Sequence, residues 1–168
     1  YLATKELLEA GCRRIVILKC LGNDANQLAR YTGFQRALTE YGLSEQEDMF
    51  VNLPEVSIEN ARSAISELLS QCIPFDGIMC TTDTIAAGAL IALREHGLQV
   101  PRDVLITGFD DSQLAAACGP GITSVHQDVS KMAELATALL LEMICKKALP
   151  KTYYQLPVYL VTRASTQR

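Results

Sequence analysis

Asp110 and Asp111 close the stretch VPRDVLITGFDD (100–111), two adjacent carboxylates directly after the short aliphatic run Val104-Leu105-Ile106. Carboxylates at the carboxyl end of a strand are placed where open α/β sheets bind their ligands. Similar polar groups follow other apolar runs: Asp24, Asn26 and Arg30 after the first, Ser57 after the second, Thr81, Thr82 and Asp83 after the third, and Gln127 after the last. A carboxylate that accepts hydrogen bonds and a guanidinium that donates several in a fixed plane suit a ligand rich in hydroxyls, provided both face one cleft. Plainer readings stand beside this one. Asp110 and Asp111 could merely turn the chain before Ser112, Arg30 could be a solvated helix residue, and Asp83 reads as a helix cap more readily than as a ligand.

For these groups to meet, the chain must alternate strand and helix. Leu2, Leu7 and Leu8 recur at helical spacing before Gly11, and Ile15-Val16-Ile17-Leu18 follows as a continuous apolar run of the kind that forms an interior parallel strand. A helix is expected from about Leu28 to Tyr41, then a strand at 50–53 stopped by Pro54, and a helix capped by Ser57 with Ile58, Ala61, Ile65, Leu68 and Leu69 on one face. Strand 76–80, a helix opening at Asp83 and closed by Gly97, the strand 104–106 and another at 122–125 continue the alternation. Asp128 or Ser130 caps a helix over 131–147 whose apolar residues cover a wide arc, and short strands at 153–156 and 158–161 finish the chain. This series predicts an α/β fold with a doubly wound, mainly parallel sheet.

Composition narrows the function. With 15 basic and 19 acidic residues among 168, the net charge is −4, and the basic groups are scattered, so this chain by itself should bind nucleic acid poorly. No apolar run reaches the roughly 18 residues of a membrane span. The six cysteines lack CxxC or Cys/His ligand spacing, which points to free core thiols in a reducing cytoplasm and to no metal site. GxGxxG, Walker A, HExxH and GxSxG are absent, so no cofactor and no catalytic residues are expected. His96 falls in the last turn of a helix and His126 at a strand end, where a structural role outweighs catalysis; an enzyme would have to use Asp83, Asp110 or His126.

The segments LLEAGCRRIVIL, ARYTGFQRAL, FDGIMCTTDTIAAGALIALREHGLQVPRDVLITGFDD, ITSVHQDV and LVTRAST run in order along the whole chain, and together they resemble the effector-binding core of the LacI/GalR family of bacterial transcriptional regulators. The resemblance implies a periplasmic-binding-protein-like fold of type I, mostly its C-terminal subdomain: 1–127 as that subdomain, 128–152 as a helix belonging to the N-terminal subdomain, and 153–168 as returning strands and tail. The chain is expected to be a fragment of a cytoplasmic regulator, a sensor of a carbohydrate, nucleoside or related metabolite that reaches operator DNA only through an N-terminal helix-turn-helix absent here. A periplasmic-type sugar-binding protein of a transport system is the alternative. Carried over by position, Arg30 and Asp110 contact the effector, Asp24 and Asn26 lie in a loop of polar ligand contacts, and Gln127 sits at the subdomain crossover. Val56 stands where many members stack an aromatic ring, and Thr82 replaces a usual asparagine. The family dimerises through this subdomain, and Ala86, Ala87 and Leu90, together with Leu114, Ala117 and Cys118, fit a homodimer or higher oligomer interface, with burial in the protomer's own core as the plainer reading. The helix 131–147 would lack its usual packing partner, so its apolar face is expected to be covered by a neighbouring chain or poorly ordered.

Overall fold

Six strands form one sheet in the order β2-β1-β3-β4-β5-β6, the first five parallel and β6 antiparallel to β5. The computed structural model describes residues 1–20, 25–145, 151 and 153–168. Strands β1 (Ile15–Cys20), β2 (Phe50–Leu53), β3 (Gly77–Cys80), β4 (Leu105–Asp110), β5 (Thr123–His126) and β6 (Tyr159–Val161) alternate with helices α1 (Leu2–Glu9), α2 (Ala25–Glu40), α3 (Ile58–Ser70), α4 (Asp83–Glu95), α5 (Gln113–Ala117) and α6 (Val129–Ile144).

The continuous apolar runs follow from burial on both faces of the sheet, because successive side chains of a strand point to opposite sides. Val16, Leu18, Ile78, Cys80 and Ile106 pack with Ile65, Leu90 and Leu93 of α3 and α4. Ile15, Ile17, Met79 and Leu105 pack on the other face with Leu7 of α1 and with Phe34 and Leu38 of α2. Ser57 caps α3, its hydroxyl accepting from the Asn60 amide at 3.1 Å, and Asp128 caps α6 by accepting from the Lys131 amide at 2.9 Å.

The chain steps from β1 outward to β2, then back past β1 to β3 and onward, so the sheet order reverses between β1 and β3. Loops diverge at such a point and leave a crevice above the carboxyl ends of the strands.

The observed elements depart from expectation in several places. Strand β4 runs on to Asp110, so this carboxylate belongs to the strand and pairs in register with His126. Tyr153 to Leu156 forms no strand; the return is made by β6 alone. The cap of α4 is Thr82, whose hydroxyl accepts from the Ile85 amide at 3.3 Å, and Asp83 is the first helical residue. Ala86, Ala87 and Leu90 are fully buried within the protomer, so the interface role expected for them is corrected: α4 is covered by α3 and α5, and these side chains fill the core. Cys12 and Cys80 are buried, but Cys72 and Cys145 are exposed, which corrects the picture of cysteines mostly in the core. No residue of α6 is buried, and Leu140, Leu141, Met143 and Ile144 stand in solvent. Among the described residues no helix is long and apolar enough to cross a membrane, and no group of three or more His, Cys, Asp or Glu is placed to hold a metal.

Candidate functional site

Arg30 reaches from the second turn of α2 across the switch point to the end of β3, where its Nη1 donates to the Thr81 carbonyl. Its guanidinium lies over the Phe109 ring, 3.9 Å from the centroid, and its Nη2 is 3.7 Å from Asp110 Oδ1. The stack orients the guanidinium plane while the carboxylate draws it toward the lip of β4. Gln127, the first residue beyond β5, donates from Nε2 to the same Asp110 Oδ1 at 2.7 Å. Arg30 of α2 and Gln127 of the segment after β5 therefore meet at one carboxylate at the end of β4.

That carboxylate stands on a strained backbone. Asp110 has φ of 104° and Asp111 has φ of 50°, both in the left-handed region that disfavours residues with a Cβ. The turn is held by hydrogen bonds to its amides: Asp111 N–H donates to Ser124 Oγ at 3.0 Å and Ser112 N–H to Asp83 Oδ2 at 2.7 Å. Ser124 Oγ in turn donates to Asp83 Oδ1 at 2.6 Å. Asp83 is thus a buried brace. Gly108 on β4 makes room for it, since a Cβ there would overlap Asp83 Oδ1.

Asp111 has partners of its own and is bound twice, by Arg163 Nη2 at 2.6 Å and by His126 Nδ1 at 2.8 Å. His126 also stacks on Tyr159, with centroids 4.7 Å apart. The two neighbouring acids are pushed in opposite directions. Burial raises the Asp110 carboxyl above its ordinary value despite the opposing influence of Arg30 and Gln127. Burial also acts to raise Asp111, but the hydrogen bonds from Arg163 and His126 outweigh it and hold that carboxyl below its ordinary value.

Of the residues singled out from the sequence, the structure brings together Arg30, Asp110 and Gln127. Asn26, in the first turn of α2, lines an adjoining open cleft of about 490 Å³ with Gln127 and Asp128. Thr82 adjoins the Thr81 carbonyl that receives Arg30, with its hydroxyl engaged in capping α4. Val56 follows the edge strand β2, with β1 and β3 between it and β4, and is exposed. Asp24 lies outside the described residues. Sequence reading missed Phe109 as part of the site, and it read Asp83 as a helix cap where the structure makes it a brace for the acidic turn. Alternation along β4 could have found Phe109, because it shares a face with Leu105 and so looks toward α2.

A reversing parallel sheet with an acidic and a basic group converging at the carboxyl ends of its strands has the form of a small-molecule-binding domain. Residues 4–166 match the periplasmic binding protein-like domain model. The ribose operon repressor of Halalkalibacterium halodurans is 32% identical over 166 residues, covering 99% of this chain and 49% of the repressor. A transcriptional regulator CelR–cellobiose complex superposes with a TM-score of 0.91 at 29% identity, over 98% of this chain and 50% of that one. A LacI-type transcription regulator from Bifidobacterium animalis subsp. lactis superposes at 0.88 with 27% identity, over 96% and 61%. The chain belongs to the periplasmic binding protein-like domain family, in the form found in LacI-type transcriptional regulators. It spans about half the length of the curated relatives it matches, and these are regulators, not transport proteins.

Proposed function

We propose that this chain is the effector-sensing part of a LacI-type transcriptional regulator working in the cytoplasm. A sugar or related small metabolite binds at the lip formed by Arg30, Asp110 and Gln127, with Asn26 and Thr82 at its margin, and changes the DNA affinity of an N-terminal helix-turn-helix outside this chain. The observation that carries this reading is the convergence of Arg30 and Gln127 on Asp110 at the carboxyl end of β4. A carboxylate able to accept from hydroxyls, beside a guanidinium stacked on an aromatic ring, is complementary to a polyol.

Residues 1–127 form the C-terminal subdomain, 128–152 a helix of the N-terminal subdomain, and 153–168 the return. The exposed apolar residues of α6 support that division, since a helix with this face would otherwise stand bare in water. Dimerisation uses Leu114, Ala117 and Cys118 of the α5 region, joined by the exposed Ile58 and Ile91 on the flank where α3 and α4 pack. The effector acts only through unequal affinity for the open and closed arrangements of the two subdomains.

Thermal-shift measurement on the full-length protein against a sugar and nucleoside panel that includes D-ribose and cellobiose tests the site. A ligand at about 100 times its Kd stabilises by roughly 2.7 kcal/mol, and Arg30→Ala and Asp110→Ala are each expected to abolish that shift. An unchanged response in both variants would remove these residues from the site.

A further inference from the structure

The two acids at the end of β4 grip consecutive residues of the chain as it leaves the sheet for α6. In the β4–β5 ladder Asp110 pairs with His126, yet its carboxylate reaches one residue further and holds the Gln127 amide at 2.7 Å. The Asp111 carboxylate reaches back to His126 at 2.8 Å. Helix α6 begins two residues after Gln127, capped by Asp128, so a rotation of the backbone at Gln127 is passed directly to the helix. The second crossing meets Asp111 and its partner His126. Tyr159 of β6 pairs with His126 in register and stacks on its ring, and Arg163 beyond β6 donates to Asp111 at 2.6 Å.

The two grips differ in kind. Asp111 has charge-assisted partners on both oxygens and its side chain is only 13% exposed. Asp110 is 37% exposed, its Arg30 contact is long at 3.7 Å, and its short bond comes from a neutral amide. A neutral donor is readily exchanged for a hydroxyl of water or ligand, whereas removing a partner from a shielded, doubly bonded carboxylate is costly.

We propose that Asp110 and Asp111 form a latch on the crossover into α6, Asp111 its permanent half and Asp110 its releasable half, with the Gln127 amide occupying the position on Asp110 that an effector's donor takes. The inference rests on the effector-binding reading above and adds its regulation. An incoming hydroxyl or amine displaces Gln127, the crossover is freed on the ligand side while Asp111 keeps its axis in place, and the occupied site is thereby coupled to the direction of α6. Gln127 is an internal competitor as well as a rim residue.

The test uses the full-length protein. Hydrogen–deuterium exchange of the unliganded protein is followed in peptides covering 127–132 and 159–163. Gln127→Ala is expected to speed exchange in the first peptide about fivefold and leave the second unchanged, while Asp111→Ala speeds both. Titration calorimetry with D-ribose and cellobiose supplies the second arm. For whichever sugar binds the wild type, Gln127→Ala should tighten binding about three- to tenfold, because a competing hydrogen bond worth about that much is removed. A Gln127 that only contacts ligand would weaken binding on truncation, and that outcome, or unchanged exchange in Gln127→Ala, overturns the latch. If neither sugar binds the wild type, the effector reading fails for these sugars, and the exchange comparison still decides whether Gln127 fastens the crossover.

Discussion

Asp110 and Asp111 are the same residue one position apart, and their surroundings drive them apart in acidity. Asp111 is held below its ordinary value by Arg163 and His126, so it adds stability above its unfolded pKa of roughly 3.9, and that contribution is lost as the pH falls through its lower folded value. Asp111→Asn should lower stability at pH 7 by about 1–3 kcal/mol. In a domain of this length that is a drop of roughly 2–10 °C in Tm by calorimetry, shrinking as the scan is repeated toward pH 3. Asp110 behaves in the opposite sense. Burial raises its folded pKa, so its ionisation subtracts stability as the pH rises through that value, and its φ of 104° adds backbone strain. Asp110→Gly relieves the backbone strain, which alone should raise stability by about 1 kcal/mol at pH 7, while abolishing the ligand-induced thermal shift. A Tm below wild type would show that the carboxylate holds the fold together instead of being held by it.

Helices α3 and α4 owe their separation to one small residue. A Cβ at Gly88 would sit 2.7 Å from the Ala61 methyl and would overlap the Ile58 carbonyl, so Gly88→Ala must push α3 away from the face of α4. Overpacking of this kind costs about 1–3 kcal/mol, measurable by urea denaturation, whereas Ser57→Ala removes only a cap and should cost about 1 kcal/mol. Cysteine reactivity follows the same layering. Burial and the nearby Asp76 push the Cys12 thiol up to about 12, and burial raises Cys80 beyond that range, while Cys72 and Cys145 are exposed. A thiol reagent at pH 8 should label Cys72 and Cys145 within minutes and reach Cys12 and Cys80 only after denaturation.

In the molecule as a whole, α6 is the element out of balance. It is capped and regular, yet none of its residues is buried, and Leu140, Leu141, Met143 and Ile144 offer a patch that water disfavours. The 168-residue chain should therefore self-associate. Sedimentation velocity on the double variant Leu140→Lys, Ile144→Lys is expected to shift the population toward monomer with no loss of Tm. In the full-length protein the same pair should cost stability if the proposed N-terminal subdomain covers that face. Equal sedimentation of the variant and the parent chain would show that α6 is not the contact.

Much of this architecture was written locally. The runs at 15–18, 77–80 and 104–106 had to be interior parallel strands because both their faces are apolar, and the polar residues after each run had to fall at the carboxyl rim once the alternation was set. The periodicity of an element reports which residues are apolar and is silent on what lies opposite. It therefore could not say that Ala86, Ala87 and Leu90 turn into the protomer, since α4 is apolar nearly all round, nor that Tyr153 to Leu156 fails to find a ladder. The pairing of Asp83 with Ser124, 41 residues away, and of Asp111 with Arg163, 52 residues away, has no local signature at all. Amino-acid order by itself determined the layers and the rim, because burial and strand direction act residue by residue, while Arg30 and Asp110 were singled out among the rim groups by the resemblance. Only the folded chain decided which acid binds Arg30 and Gln127 and which binds His126 and Arg163, because that choice is made by partners brought close in space from distant sequence.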